Sequence, residues 1–220
     1  METRLSEKTQ EFLWNVRFHN EKPWFDAHKA EYLEYVFEPM KALARAVHQG
    51  MEKKYGLQTQ LHVSRIYRDM RIKNGKGPYK DHLWFSLRRG DGNWTEAPVF
   101  YFEMFPERVS YGLGCLIDSP LGMERFRKAA DANPAALERL ILDFQKQNYF
   151  ALVGEEYKRK KGEKGEIIDP WYNRKWLGME RRLNWGREVM AGTLAKNMVE
   201  RFGLLLPIYH YFNQIADMES

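Results

Sequence analysis

Cysteine is scarce in this sequence, and a histidine pattern typical of a metal site is absent. Cys115 is the only cysteine among 220 residues, which excludes an internal disulfide and a zinc site built on cysteines. The six histidines show no His-Glu-x-x-His or comparable spacing. We therefore expect no metal site in this protein.

The sequence also lacks the known signatures of catalysis and of cofactor binding. It contains neither a Walker P-loop nor a dinucleotide-binding glycine pattern, and no serine or cysteine stands with histidine in a recognised catalytic order. The carboxylates near the predicted sheet form no known catalytic pattern either; they are Asp69, Asp81, Glu103 and Asp118. We expect no cofactor.

Long apolar segments are missing as well. No run approaches the roughly 18 apolar residues that a transmembrane helix needs. The start of the chain, Met1-Glu-Thr-Arg-Leu-Ser-Glu-Lys, has no apolar signal region. We therefore expect a cytoplasmic protein without a membrane partner. Hydrophobic residues still make up 44% of the chain, which is enough for a substantial core.

Helical periodicity dominates the first 56 residues. Apolar spacing predicts one helix that begins after Ser6 and ends near His19. A second helix is predicted to begin near Pro23, to be interrupted at Pro39 and to stop at Gly56.

The middle of the chain has the pattern of an antiparallel meander. Short segments rich in β-branched and aromatic residues alternate with turn-like connections, at 61–67, 83–88, 98–105 and 108–114. Helices are predicted again at 119–132, 133–147, 187–202 and 208–216. We expect a single α+β domain over residues 1–220, with N-terminal and C-terminal helices packed on an antiparallel β-meander of residues 61–114.

The connection between the first two predicted strands is the leading candidate for a ligand site. Residues 65–89 hold eight Lys or Arg and two Asp, a local charge of +6 in a chain whose total is only +5. Glycine N–H groups and cations, as in Asn74-Gly-Lys-Gly-Pro-Tyr-Lys, are typical of anion sites. The predicted ligand-binding residues are Arg68, Asp69, Arg71, Lys76, Tyr79 and Lys80.

Two arrangements of these residues compete. If the strand continued to Arg71, Asp69 would lie on the same face and could orient Arg71 for a bidentate anion. Lys80 would contact the anion, or act as a base or nucleophile if its pKa were lowered. In the alternative arrangement the arginines and Asp69 form an internal lattice that holds the loop, and Arg71→Ala would be strongly destabilising.

A second basic stretch lies at residues 157–187. Ten Lys or Arg stand there against four acidic residues, with Trp171, Tyr172, Trp176 and Trp185 among them. Cations and aromatic rings in this mixture can bind the phosphates and unpaired bases of nucleic acid, although a solvated loop has the same composition. No named nucleic-acid-reading motif is present.

Four motifs in this order resemble the family called domain of unknown function 2461. They are Asn20-Glu-Lys-Pro-Trp-Phe-Asp, Arg68-Asp-Met-Arg-Ile, Lys76-Gly-Pro-Tyr-Lys and Tyr111-Gly-Leu-Gly. The chain departs from the family pattern at Ile72, where Phe is usual, and in its basic segment from Lys158. The resemblance implies one domain over nearly the whole chain and, because the family has no established activity, no catalytic residues.

The sequence therefore leaves three functional hypotheses. The first is a binding protein for an anionic partner, a phosphate-bearing small molecule or nucleic acid, that uses the block from Arg68 to Lys80. The second is an enzyme on a phosphorylated or carboxylated small molecule, with Lys80 or Asp69 in proton transfer. The third is a structural or interaction protein with no ligand at this block.

Overall fold

The structure is a computed structural model that describes residues 4–69, 71, 77–90, 96–115 and 119–218. It confirms the predicted α+β class with an antiparallel meander. The described residues contain a six-stranded antiparallel sheet with the order β1-β2-β3-β4-β6-β5. Its strands are β1 (Gln60–Val63), β2 (Leu83–Arg88), β3 (Val99–Met104), β4 (Arg108–Cys115), β5 (Ala151–Val153) and β6 (Leu177–Asn184).

Helices flank the meander on both sides in the sequence. The α-helices are α1 (Glu7–Phe18), α2 (Lys22–Ala27), α3 (Lys29–Glu31), α4 (Glu38–Tyr55), α5 (Pro120–Ala132), α6 (Pro134–Gln145), α7 (Asp169–Tyr172), α8 (Leu194–Phe202) and α9 (Leu206–Ala216). A π-helix spans Tyr32–Phe37, and a 3-10 helix spans Gly203–Leu205.

The middle strands have one apolar and one polar face. In β3, Phe100, Phe102 and Met104 are fully buried, whereas Tyr101 and Glu103 between them are only partly buried. Because side chains alternate along a strand, these two sets point to opposite faces of the sheet. We call the side of Tyr101 and Glu103 the polar face.

Helices from both ends of the chain cover the apolar face. The ring of Phe100 lies 4.8 Å from that of Phe202 in α8 and 5.2 Å from that of Tyr209 in α9. Helix α4 packs against α8 and against the first two strands. The predicted packing of N-terminal and C-terminal helices on the sheet is therefore confirmed.

The predicted interruption of the second helix takes the form of a π-helix just before Pro39. Proline has no N–H, so it cannot donate to the carbonyl of Tyr35 four residues earlier. The hydroxyl of Thr9 in α1 donates to that carbonyl instead, at 2.6 Å. Further on, Gly56 ends α4 in the left-handed conformation (φ 66°), as predicted.

The sheet is larger than the predicted 61–114, because β5 and β6 add two strands from a region with no clear period. Strand β6 pairs with β4 along its whole length. Its centre is the charged run Glu180-Arg181-Arg182, which hides the strand pattern. Glu180 and Arg182 extend over the polar face, where a strand can carry charge without burying it fully.

The boundaries of two other elements also differ from the predictions. Strand β1 ends at Val63 and not at residue 67. The regular ladder stops there because the N–H of Trp84 donates to the side-chain hydroxyl of Ser64, at 2.9 Å, and not to a backbone carbonyl. The helix predicted at 187–202 begins only at Leu194, after a series of turns.

Within the described ranges, no helix is both long and apolar enough for a bilayer crossing.

We predict that Thr9→Val lowers the free energy of unfolding by about 1–3 kcal/mol, because the buried carbonyl of Tyr35 loses its donor. Chemical denaturation measures this loss. Thr59→Val is the matched control, since the buried hydroxyl of Thr59 has no hydrogen-bond partner within the described residues. Equal losses in the two variants would contradict the prediction.

Candidate ligand site on the polar face of the sheet

The segment after β1 folds back on itself before β2. A single bridge pairs Tyr67 with Tyr79, and the N–H groups of Arg68 and Lys80 donate to Pro78 and Ile66 at 2.8 and 2.7 Å. The strand therefore does not continue to Arg71, and the face assignment that depended on this condition does not apply. The predicted ligand residue Lys76 lies outside the described residues, as do Gly75, Ile72 and Asp118.

The predicted ligand residue Tyr79 is a buried anchor of this segment. Its ring stacks on Phe25 of α2 with centroids 4.1 Å apart. The side chain of Asn20 accepts the N–H of Tyr79 and donates to its carbonyl, both at 2.9 Å. Arg68 Nε donates to the same carbonyl at 2.7 Å. Asn20 and Arg68 thus hold the backbone of Tyr79, an arrangement that we call the Tyr79 clamp.

Asp69 and Arg71 form an ion pair, as the sequence analysis expected, but on the surface. Arg71 Nη2 lies 2.6 Å from Asp69 Oδ2, and the Arg71 side chain is 90% exposed. The hydrogen bonds from Arg71 lower the pKa of Asp69. An exposed pair of this kind contributes little to stability.

Lys80 lies at the edge of the polar face. Its Nζ donates to the carbonyl of Arg65 at 3.0 Å. Burial lowers the pKa of Lys80, and the charges of Arg65 and Arg68 add to this effect. Lys80 in turn helps to lower the pKa of His62 and His82, which places it near both rings.

Asp81, the residue after Lys80, contacts several basic side chains. Arg17 Nε donates to it at 2.6 Å, and Arg68 Nη2 lies 3.6 Å away. Burial by itself raises the pKa of Asp81, but the hydrogen bonds from His82 and Arg17 outweigh it and lower the pKa. Asp81 is therefore ionised at neutral pH, so His82 Nδ1 is the donor in their 3.1 Å hydrogen bond.

Glu103 is the most perturbed carboxyl group on the polar face. It lies opposite Trp84 of β2 and Ser110 of β4. No hydrogen bond reaches its side chain from the described residues, and the nearest basic nitrogen is His82 Nε2 at 4.0 Å. Burial raises the pKa of Glu103 to about 7, with Arg108 opposing the shift and Glu180 adding to it.

Tyr101 and Glu180 form a bridge beside Glu103. The hydroxyl of Tyr101 donates to Glu180 Oε2 at 2.9 Å, although β4 lies between their strands. The residue between them is Gly112, and a Cβ there would lie 1.8 Å from the carbonyl oxygen of Met179. Only glycine fits at this position, and it leaves the space over which Tyr101 reaches Glu180.

Arg108 is a partly buried cation with few partners. Its guanidinium lies 4.2 Å from the ring centroid of Phe105, and its Nε is buried without a hydrogen-bond partner in the described part of the chain. No carboxylate of the described residues lies within 4.0 Å of it. The ring of His82 stacks on the same Phe105, with centroids 4.9 Å apart.

These groups form one candidate site around His82 and Phe105. We call it the polar-face site, and its members are Lys80, His82, Tyr101, Glu103, Arg108 and Glu180. Of the predicted ligand residues that the structure describes, Lys80 alone belongs to it; Arg68 and Tyr79 form part of the clamp, and Asp69 with Arg71 lies on the surface.

Five members of the polar-face site were not predicted as site residues from the sequence: His82, Tyr101, Glu103, Arg108 and Glu180. The alternation in Phe100-Tyr-Phe-Glu-Met is a signal that could have found Tyr101 and Glu103, because polar residues at every second position mark one face of a strand. Glu180 lies in β6, which was not predicted as a strand, and its partner could not be inferred.

Half of the ten cations in the second basic stretch form ion pairs with carboxylates. Lys160, Lys164 and Arg174 lie within 3.0 Å of Asp169, Asp131 and Glu156, respectively. Three aromatic residues proposed for base stacking also have contacts within the protein, namely Trp171, Tyr172 and Trp185. Trp171 is buried against Phe144, and Trp185 Nε1 donates to the carbonyl of Phe105 at 2.7 Å.

Comparison with known families identifies the chain. A model of the family described as conserved hypothetical protein (DUF2461) matches residues 8–211. The chain therefore belongs to this family, which confirms the resemblance seen in its motifs. A search of curated proteins finds no significant match.

We predict that Arg68→Ala lowers the free energy of unfolding by about 2 kcal/mol, because the Tyr79 carbonyl and Asp81 lose a charged partner. Arg71→Ala is the control, and its effect should stay within about 0.5 kcal/mol because the side chain is exposed. Urea denaturation of both variants checks this. A larger loss in Arg71→Ala than in Arg68→Ala would instead support the alternative arrangement, in which Arg71 is the key residue of an internal lattice.

We also predict that Glu103 makes stability depend on pH. Its folded-state pKa of about 7 exceeds the ordinary value of 4.5, so the stabilisation from its bound proton is fully present below pH 4.5 and is lost as the pH rises through 7. At about 1.4 kcal/mol per pKa unit, the loss is about 3 kcal/mol.

Glu103→Gln keeps the shape of the side chain but cannot ionise. Relative to this variant, the wild type should therefore lose stability between pH 4.5 and 7, which urea denaturation at several pH values measures. Parallel pH profiles would show that Glu103 ionises normally.

Proposed function

We propose that the protein binds a small anionic molecule, bearing a carboxylate or a phosphate, at the polar-face site. Arg108 and Lys80 are the cations that contact the anionic group. The observation that carries this proposal is the unpaired, partly buried guanidinium of Arg108.

The environment of Arg108 favours an anionic ligand on physical grounds. A cation removed from water costs free energy unless an acceptor or an opposite charge compensates it. The buried Nε of Arg108 has no acceptor among the described groups, and Glu103 next to it is only half ionised near pH 7. A carboxylate or phosphate would supply the missing acceptors and could bind in a bidentate manner.

Lys80 links this proposal to the predicted basic block. Its Nζ uses one donor on the carbonyl of Arg65 and keeps two for a ligand. Arg68 and Tyr79 would support the site from below through the Tyr79 clamp. Asp69 and Arg71 neutralise each other on the surface and lie outside the site.

The contacts favour a small molecule over nucleic acid. Several cations of the second basic stretch are paired with carboxylates, and Trp171 and Trp185 pack inside the protein. Stacking on unpaired bases needs accessible aromatic rings next to free cations.

We keep the cytoplasm as the proposed location, because the buried Cys115 is a free thiol, which suits a reducing compartment.

A thermal-shift experiment tests the proposal. The probes are inorganic phosphate, citrate, AMP and a single-stranded oligonucleotide, each at low and moderate salt. We expect phosphate- or carboxylate-bearing small molecules to raise the melting temperature of the wild type by mass action. Arg108→Gln and Lys80→Gln should each make this shift smaller. The apparent affinity calculated from the shift should fall at least tenfold, which corresponds to about 1.4 kcal/mol of binding free energy.

Arg71→Gln is the matched control, because it removes an exposed cation outside the polar-face site. It should keep the shift. A shift that Arg108→Gln and Arg71→Gln reduce equally would contradict a defined site. A shift with the oligonucleotide alone, erased by moderate salt, would favour nucleic acid as the partner.

A further inference from the structure

His82 is held in one orientation by its neighbours. Its Nδ1 donates to Asp81 Oδ1 at 3.1 Å, and its ring stacks on Phe105. Asp81 is fixed in turn by Arg17 and Arg68. A histidine whose Nδ1 proton is bound to a carboxylate presents a bare Nε2, which can accept a proton.

The bare nitrogen faces Glu103. His82 Nε2 lies 4.0 Å from Glu103 Oε1, too far for a direct hydrogen bond but close enough for one atom of a ligand, or a water molecule, to contact both. Glu103 receives no hydrogen bond from the described residues, so its carboxyl group is available.

We propose that Glu103 and His82 form the acid–base pair of the polar-face site and exchange protons through an atom that lies between them. This inference rests on the proposed function for its ligand. It places proton transfer on residues other than Lys80 and Asp69, which the sequence had suggested. The substrate class is a carboxylate- or phosphate-bearing compound with an exchangeable proton beside a carbonyl group.

The two groups have complementary tasks at neutral pH. Burial lowers the pKa of His82, although Asp81 opposes this, so the ring is largely neutral and is a proton acceptor. The pKa of Glu103 is about 7, so half of the carboxyl groups carry a proton to donate. Environments that change the pKa values of two neighbouring groups in this way are typical of acid–base sites.

The proton transfer is balanced within the site. His82 Nε2 takes a proton from one atom of the substrate, and the electron pair of the broken bond stays on the substrate. Glu103 gives its proton to the carbonyl oxygen of the same substrate, which yields the enol. A proton then passes from the imidazolium of His82 to the carboxylate of Glu103, and both groups return to their starting state. No co-reactant is consumed.

Several charged side chains of the described residues surround His82 and Glu103. His82 faces Asp81, Glu103, Arg68 and Lys80, and the last two lower its pKa. Glu103 is affected in addition by Arg108 and Glu180. A titration of the pair must therefore be compared with variants that leave these groups in place.

NMR titration of the ligand-free protein tests the inference directly. In the wild type, the ring signals of His82 should change in two steps, one near pH 7 together with Glu103 and one below the ordinary histidine value of 6.5. In Glu103→Gln the step near pH 7 should disappear, leaving one step at lower pH. His62, which lies near Lys80 but is not paired with Glu103, should titrate identically in both proteins.

A single His82 step that is the same in the wild type and in Glu103→Gln would overturn the inference. If Glu103→Gln does not fold, the reciprocal measurement serves: the carboxyl carbon signal of Glu103 should titrate in two steps in the wild type and in one step in His82→Asn. Because no ligand is present, these results do not depend on the thermal-shift experiment. A failed ligand screen with two-step titration would reject the ligand and not the pair.

Discussion

The backbone of Tyr79 is the point on which the candidate site depends. Asn20 and Arg68 satisfy its carbonyl, and Asn20 also accepts its N–H. These bonds satisfy the backbone groups of Tyr79 outside the regular ladder, which β1 leaves after Val63. They also fix the position of the next residues, Lys80 to His82, which enter the polar face directly after the clamp.

The clamp explains why a basic segment can lie beside a sheet without collapsing onto it. Arg68 is used for structure, and its second contact, Asp81, is shared with Arg17 of α1. The cations of the site itself are Lys80 and Arg108, and the charge of Arg68 also acts on His82. The internal lattice of Asp69 and Arg71 that the sequence offered as an alternative is not found in the described part of the chain, since this pair is exposed; the Tyr79 clamp anchors the segment instead, next to the candidate site.

Local patterns in the sequence were sufficient for much of the fold. Ser119 and Asn133 each precede a proline, and both cap the predicted helices with hydrogen bonds of 3.0 and 3.2 Å. The meander and the stop at Gly56 likewise follow from short-range rules. Strand β6 does not, because its charged residues are tolerated only through the neighbouring strand β4, and such a contact leaves no local signal.

The candidate site was predictable only in part, for the same reason. The sequence located the basic segment and the pairing of Asp69 with Arg71, but could not show that Arg71 faces the solvent. The altered pKa of Glu103 depends on burial and on Arg108 and Glu180 from other strands. Quantities of this kind arise from the assembled sheet and are not properties of any motif.

The bridge from Tyr101 to Glu180 has a consequence for the order in which the protein forms during synthesis. The two residues are separated by 79 positions, whereas Asn20 and Tyr79 are separated by 59. On the ribosome, the Tyr79 clamp can close as soon as β2 has emerged, but the polar face lacks Glu180 until β6 is made. A nascent chain that stops before residue 177 could hold the Tyr79 clamp but would lack β6, so the carboxylate of Glu180 would be missing from the polar face until late in translation.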